Sequence, residues 1–251
     1  MSRPRGPAPV GLASERIEAV LFDLDGTLVD TRSAWRAAFA HVLADAYARH
    51  PDLRSLGRGE HVHDAVFQPL VRQEQAADGG EWDPRFLRLG FRRLLAEHAS
   101  RDDEFADRLF EAYAAAQPRR MALFPDVLPM LEALGARYRL ALISNGLGPQ
   151  QRSRIQPLGL DVHFPVIAIS GELGLRKPDP AIFRHVLSRL NVAAEAAVHV
   201  GDDLAADIGG AAAAGIAAIW VNADGAVAEQ EQAPAAEIPA ITKLPALLGI
   251  E

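Results

Sequence analysis

Asp23-Leu24-Asp25-Gly26-Thr27 sets two carboxylates one residue apart, with a glycine and a hydroxyl directly behind them. The pair follows an apolar run, Ala19-Val20-Leu21-Phe22, so it stands where a buried strand would end. Neighbouring carboxylates repel each other and cost free energy to desolvate. A hard cation such as magnesium offsets that cost, because it takes carboxylate and carbonyl oxygens and still leaves room for a phosphate. Gly26 lets the backbone turn sharply, and Thr27 adds a hydroxyl donor. The same residues also read as a strand-end turn with capping acids, so alone they leave both readings open.

Three further groups have the same character. Gly201-Asp202-Asp203 follows Ala197-Val198-His199-Val200, and Asp207 comes five positions after Asp202. Read singly, Asp202 or Asp203 is a helix N-cap. Ser144-Asn145-Gly146 is either a plain turn or a phosphate site made from a hydroxyl and the amides of a following helix. Lys177, in Arg176-Lys177-Pro178-Asp179-Pro180, read singly is a solvated charge. Each plain reading holds singly, but four such groups together at one sheet edge point to a site.

The elements that must carry these residues are legible from apolar runs. Besides the two just named, Arg139-Leu140-Ala141-Leu142-Ile143 precedes Ser144, Val166-Ile167-Ala168-Ile169 precedes Ser170, and Ile216-Ala217-Ala218-Ile219-Trp220-Val221 ends at Asn222. Continuous apolar runs suit strands buried on both faces of a parallel sheet. Helical patterns at 180–190 and 204–214 separate the later ones, giving βαβ units and an open α/β sheet. Ligands of such sheets bind at the carboxyl ends of the strands, where the polar residues stand.

Residues 32–117 interrupt this order with helical periodicity alone. Helices are expected over 33–49, 61–74, 84–99 and 104–115, punctuated by Asp78-Gly79-Gly80 and by Ser100-Arg101-Asp102-Asp103, which offers N-caps. The block reads as a lid domain, with joints near 31–33 and 117–123 and Gln117-Pro118-Arg119-Arg120 as the returning linker. The expected division is a flexible leader at 1–18, an α/β core at 19–31 and 118–251, and the helical insert at 32–117. Residues 223–239 read as a surface loop before a last short helix at 241–248.

The 251 residues are 49% hydrophobic and 24% charged, ordinary for a folded globular chain. Lys plus Arg is 26 against 33 Asp plus Glu, a formal charge of −7, which gives no footprint for nucleic acid or an anionic membrane. The absence of cysteine excludes disulfides, thiolate catalysis and Cys-ligated metal sites. The first fifteen residues lack an apolar signal core, and the uncharged stretch 208–223 is shorter than the roughly 20 residues of a membrane helix. A cytoplasmic protein, monomer or homodimer, is expected.

With all four groups in order, the chain resembles the haloacid dehalogenase superfamily of hydrolases. The motifs are Asp23-Leu24-Asp25-Gly26-Thr27-Leu28-Val29-Asp30, Ser144-Asn145-Gly146, Lys177-Pro178-Asp179-Pro180, and Gly201-Asp202 with Asp207. The resemblance spans 20–221, and the insert is similar to the family's helical C1 cap. It implies a Rossmann-like parallel sheet flanked by helices, with an inserted helical cap. Asp23 would be the nucleophile that forms an aspartyl phosphate, and Asp25 the acid for the leaving oxygen and then the base for water. The Asp23 carboxylate, the Asp25 carbonyl and the Asp202 carboxylate would ligate Mg²⁺. Thr27, Ser144, Asn145 and Lys177 would bind the phosphate, with Asp203 and Asp207 in support.

The resemblance implies a phosphatase acting on a small phosphorylated metabolite. The stretches Ser144-Asn145-Gly146-Leu147-Gly148-Pro149-Gln150-Gln151 and Ser170-Gly171-Glu172-Leu173-Gly174 are similar to the nucleotidase and N-acylneuraminate-9-phosphatase branch. That favours a nucleoside monophosphate or sugar phosphate, with phosphoglycolate a further candidate. A dehalogenase would lack the acid at Asp25, a β-phosphoglucomutase-type mutase shares the four motifs, and a silent scaffold would have lost one of them. Trp35, Phe39, His61, His63, Phe67 and Arg72 are cap candidates for specificity by residue type. Their alternative is packing for the aromatics and surface for His61 and His63, which receive no catalytic role. Trp82 and Trp220 are expected to pack.

Overall fold

Six strands form one sheet in this computed structural model, which describes residues 17–77, 83–99, 101–117, 120–227 and 233–250. They are β1 (Ala19–Phe22), β2 (Arg139–Ser144), β3 (Val166–Ile169), β4 (Ala197–Gly201), β5 (Ala217–Val221) and β6 (Ala236–Ile238). All pairings are parallel, in the order β3-β2-β1-β4-β5-β6. Every residue of β1 and β4 is buried, as continuous apolar runs require of central strands. Phe22 pairs with Leu142 on one side and Val200 on the other. That register brings Asp23, Ser144 and Gly201-Asp202 out at the same edge. The strand order reverses between β1 and β4, the position at which open α/β sheets form their crevice.

The chain divides into two compact units, Met1–Asp30 with Ala122–Glu251, and Thr31–Met121. The expected leader falls mostly outside the described residues, as do Asp78-Gly79-Gly80, Trp82, Ser100 and Pro118-Arg119 of the linker.

In the second unit, α1 (Thr31–Arg49), α2 (Gly59–Val62), α3 (Gln68–Ala77), α4 (Arg85–His98) and α5 (Asp103–Ala116) pack around an aromatic centre. The rings of Phe39 and Phe67 lie 4.7 Å apart, Phe67 and Phe91 4.5 Å, and Phe91 and Tyr113 5.6 Å. Asp102 caps α5 as expected, accepting from the Phe105 amide at 3.0 Å. The single helix expected over 61–74 is instead α2 and α3 joined by a π-helical turn, His63–Phe67, where the Gln68 amide reaches the His63 carbonyl. Periodicity of apolar residues cannot register one such extra residue per turn.

Several of the specificity candidates are corrected here. Phe39 and Phe67 are fully buried in the aromatic centre, because apolar residues at helical spacing face the core of their own unit. His63, expected at the surface, is buried, its ring bonded to Asp64 at 2.8 Å and Gln68 at 3.1 Å. Those two partners satisfy both ring nitrogens, so the histidine can be covered. His61 and Arg72 are exposed and Trp35 is half-buried.

In the first unit, α6 (Val127–Gly135), α7 (Gly148–Ile155), α8 (Ser170–Leu173), α9 (Pro180–Leu190) and α10 (Gly210–Ala213) connect the strands, and α11 (Leu244–Leu247) follows β6. The surface loop expected over 223–239 is corrected, since β6 lies inside it. The Asn222 amide donates to the Ile238 carbonyl at 2.9 Å and the Ala235 amide to Ala218 at 2.8 Å. Backbone pairing of so short an edge strand needs one buried side chain, Ile238, and leaves no periodic pattern to read. Among the described residues no helix is long and apolar enough to cross a membrane.

Replacing Phe39 by Ala removes the ring that touches Phe67, Phe91 and Tyr113. The expected cost is about 3–5 kcal/mol, read as a lower urea midpoint for the unfolding of the helical unit.

Candidate active site

Asp23 emerges from β1 with its amide donating to the Val200 carbonyl at 2.9 Å, which ties the strand end to β4. The chain then closes a tight turn, in which the Gly26 amide donates to Val29 at 2.9 Å and the Val29 amide to Leu24 at 2.9 Å. Gly26 has φ of +88°, and a Cβ there would stand 2.3 Å from Asp202 Oδ2. Glycine is required twice over, by conformation and by the approach of Asp202. Gly201 is required for the second reason alone, since its Cβ would meet Asp207 Cγ at 2.2 Å.

Lys177 is the centre of the site. Its side chain is buried, and Nζ donates to Asp23 Oδ1 and, at 2.6 Å, to Asp207 Oδ1. Burial alone would lower the lysine's affinity for its proton, but Asp207 and Asp23 outweigh it and hold the amine above its ordinary range. Asp207 is also buried, which would favour its neutral form. The Lys177 ammonium and the His199 hydrogen bond at 2.9 Å reverse this and hold its carboxyl well below the usual range. An ionised carboxylate only accepts, so His199 carries its hydrogen on Nε2. Burial keeps His199 itself below its ordinary value despite Asp207.

One ammonium cannot satisfy three neighbouring carboxylates. Burial, reinforced by Asp207 and Asp202 and opposed by Lys177, raises the Asp23 carboxyl well above the usual range. Burial and the Asp207 charge push Asp202 up to about 7. Oxygens of Asp23, Asp202 and Asp207 all lie within 4.8 Å of one another. Fully ionised, this cluster carries two more negative charges than Lys177 offsets. Hard oxygen donors with a deficit of two charges form a set that fits a divalent cation such as Mg²⁺. The cluster can bind a metal.

Asp25 belongs to a second network. Its carboxylate accepts from Gln151 Nε2 at 2.8 Å and from Arg154 Nη1 at 3.2 and 3.4 Å. Gln151 Nε2 also lies 2.6 Å from Ser144 Oγ and 3.1 Å from the Asn145 carbonyl. Asn145 uses both ends of its side-chain amide on the Lys177 backbone, donating to the carbonyl at 2.9 Å and accepting from the amide at 3.0 Å. Its side chain therefore braces Lys177. Thr27 Oγ1 is buried and stands 3.5 Å from Asp202 Oδ1. Asp203 is exposed and caps the turn that carries Asp207, accepting from the Ala205 and Ala206 amides at 2.8 and 2.7 Å.

Four residues of these networks were not anticipated in a functional role: Gln151, Arg154, His199 and Trp220. Trp220 packs as expected and also donates from Nε1 to the Asp202 carbonyl at 2.9 Å. Gln151 and Arg154 share one helix face at i, i+3, and His199 interrupts an otherwise apolar strand. A buried polar residue in such a strand must find a partner, which is the signal that was available.

Gly201→Ala is expected to displace Asp207 from Lys177 and His199. An overpacked buried site of this kind loses about 1–3 kcal/mol, measured by urea unfolding, with the secondary structure retained in circular dichroism.

The profile of the haloacid dehalogenase-like hydrolases matches residues 17–215. The chain is 38% identical to the phosphoserine phosphatase of Thermus thermophilus over 224 residues, 82% of this chain and 89% of that protein. It is 28% identical to the N-acylneuraminate-9-phosphatase of Rattus norvegicus over 243 residues, 93% of this chain and 94% of that one. The crystal structure of the HAD-hydrolase YfnB of Bacillus subtilis bound to magnesium superposes with a TM-score of 0.77 at 26% identity, over 94% of this chain and 100% of that chain. An acidic cluster built around one buried lysine at the carboxyl edge of a parallel sheet, together with this match over most of its length, makes the chain an enzyme of the haloacid dehalogenase-like hydrolase family.

Proposed function

We propose that this hydrolase is a Mg²⁺-dependent phosphomonoesterase that works on a small phosphorylated metabolite through an aspartyl phosphate. The observation that carries the reading is the Asp23–Lys177–Asp207 arrangement, in which a buried ammonium touches the candidate nucleophile and is held there by a second carboxylate. The relatives named phosphoserine phosphatase and N-acylneuraminate-9-phosphatase support the substrate class. A nucleoside monophosphate or a sugar phosphate is the favoured substrate, and phosphoglycolate comes next. The formal charge of −7 gives no footprint for a nucleic acid or anionic membrane partner, and a cytoplasmic enzyme is the default reading.

The Asp23 carboxylate, the Asp25 backbone carbonyl and the Asp202 carboxylate would hold Mg²⁺. Bound there, the ion supplies positive charge beside the phosphoryl oxygens and offsets the carboxylates that would repel them. Lys177 has one N–H left after Asp23 and Asp207, and it meets a phosphoryl oxygen together with the Ser144 and Thr27 hydroxyls. An Asp23 oxygen attacks phosphorus, the phosphorus–oxygen ester bond breaks, and Asp25 gives its proton to the departing oxygen. Water then attacks the aspartyl phosphate and passes a proton back to Asp25. Asp23 and inorganic phosphate are released, and the enzyme is restored.

The presence of Asp25, held by two donors, favours this chemistry over dehalogenation, which needs no acid at that position. The test is phosphate release from nucleoside monophosphates, sugar phosphates, phosphoserine and phosphoglycolate, with Mg²⁺ or with EDTA. Release that requires Mg²⁺ and falls at least about 10³-fold in folded Asp23→Asn is the expected result. Activity retained by Asp23→Asn would remove the covalent route. Interconversion of sugar phosphate isomers without release would make the enzyme a mutase.

A further inference from the structure

Among the described residues, both partners of the Asp25 carboxylate come from α7. Gln151 is buried and Arg154 is only one-tenth exposed, so neither side chain is free to wander. Arg154 Nη1 also donates to Gln151 Oε1 at 3.1 Å, which locks the two donors to each other. The same Gln151 amide reaches Ser144 Oγ, so one side chain spans the residue proposed to bind the transferring phosphoryl group and the residue proposed to serve the leaving oxygen.

The turn that bears Asp25 fixes the backbone but does not aim the carboxylate, because rotation about its side-chain torsions remains. A cation and an amide converging from one helix face remove that freedom. We infer that Gln151 and Arg154 are positioning residues, which aim the Asp25 carboxylate at the leaving oxygen in register with Ser144. The inference rests on the phosphomonoesterase reading.

Aiming an acid matters in proportion to how much the leaving group needs a proton. An alkyl phosphate departs as a strongly basic alkoxide unless it is protonated, whereas nitrophenolate leaves unaided. The experiment compares kcat/KM of the Mg²⁺-loaded full chain on an alkyl phosphate and on p-nitrophenyl phosphate, in wild type, Arg154→Met and Arg154→Lys. Arg154→Met is expected to lose about 10- to 100-fold on the alkyl phosphate, mostly in kcat, and less than about threefold on the aryl phosphate. Arg154→Lys keeps the charge and should recover most of the loss; if the Met variant does not fold, Arg154→Gln, which removes the charge, carries the comparison with the same expected pattern.

Equal losses on the two substrates, or a ratio that is unchanged or raised, would overturn the inference and leave Arg154 a merely structural residue. Wild-type enzyme that releases no phosphate from either compound would instead overturn the underlying reading. The two failures are therefore distinguishable.

Discussion

Everything at the carboxyl edge of the sheet depends on one buried ammonium. Lys177 would be a costly guest in an apolar interior without Asp23 and Asp207, and those carboxylates would be costly without it. The interaction is not a neutral pair but an under-compensated cluster, with Asp202 as the third acid. That imbalance raises Asp23 and Asp202 while Asp207 stays ionised against Lys177 and His199. Such a deficit is relieved by protons or by a cation, and three hard oxygen donors this close together suit a divalent ion.

The surrounding architecture serves to maintain this arrangement. Asn145, from the end of β2, holds the Lys177 backbone at two points. His199, inside β4, holds Asp207, and Trp220, inside β5, holds the Asp202 carbonyl. Gly26 and Gly201 give up their side chains so that Asp202 and Asp207 can come close. Strands β1, β2, β4 and β5 and the loops that follow them thus converge on a few side chains, and the parallel register makes this possible by ending them at the same edge.

Asp25 stands two residues from Asp23 but in a different electrostatic setting. Its partners are an arginine and an amide, whereas Asp23 shares a single lysine with Asp207. In the proposed mechanism the two acids have different tasks, one as nucleophile and one as proton carrier. Different environments around like residues are the usual way a protein divides such roles.

Much of this was legible in the chain. The apolar runs before Asp23, Ser144, Ser170 and Gly201 marked four strands, because a strand buried on both faces must be continuously apolar. The four motifs in their order marked the family by resemblance, and the family profile matches residues 17–215. The edge strand β6 and the π-helical turn at His63–Phe67 were not legible, because backbone hydrogen bonding alone defines them. Nor was the division of labour within the motifs. That Asn145 braces a lysine 32 positions away, that Asp203 caps a turn, and that Gln151 and Arg154 take hold of Asp25 all depend on side chains distant in sequence meeting in space. Local sequence determines which residues end a strand or turn a loop; only the packed sheet decides which donor faces which acceptor, because hydrogen bonds and charge pairs form across strands the chain itself keeps far apart.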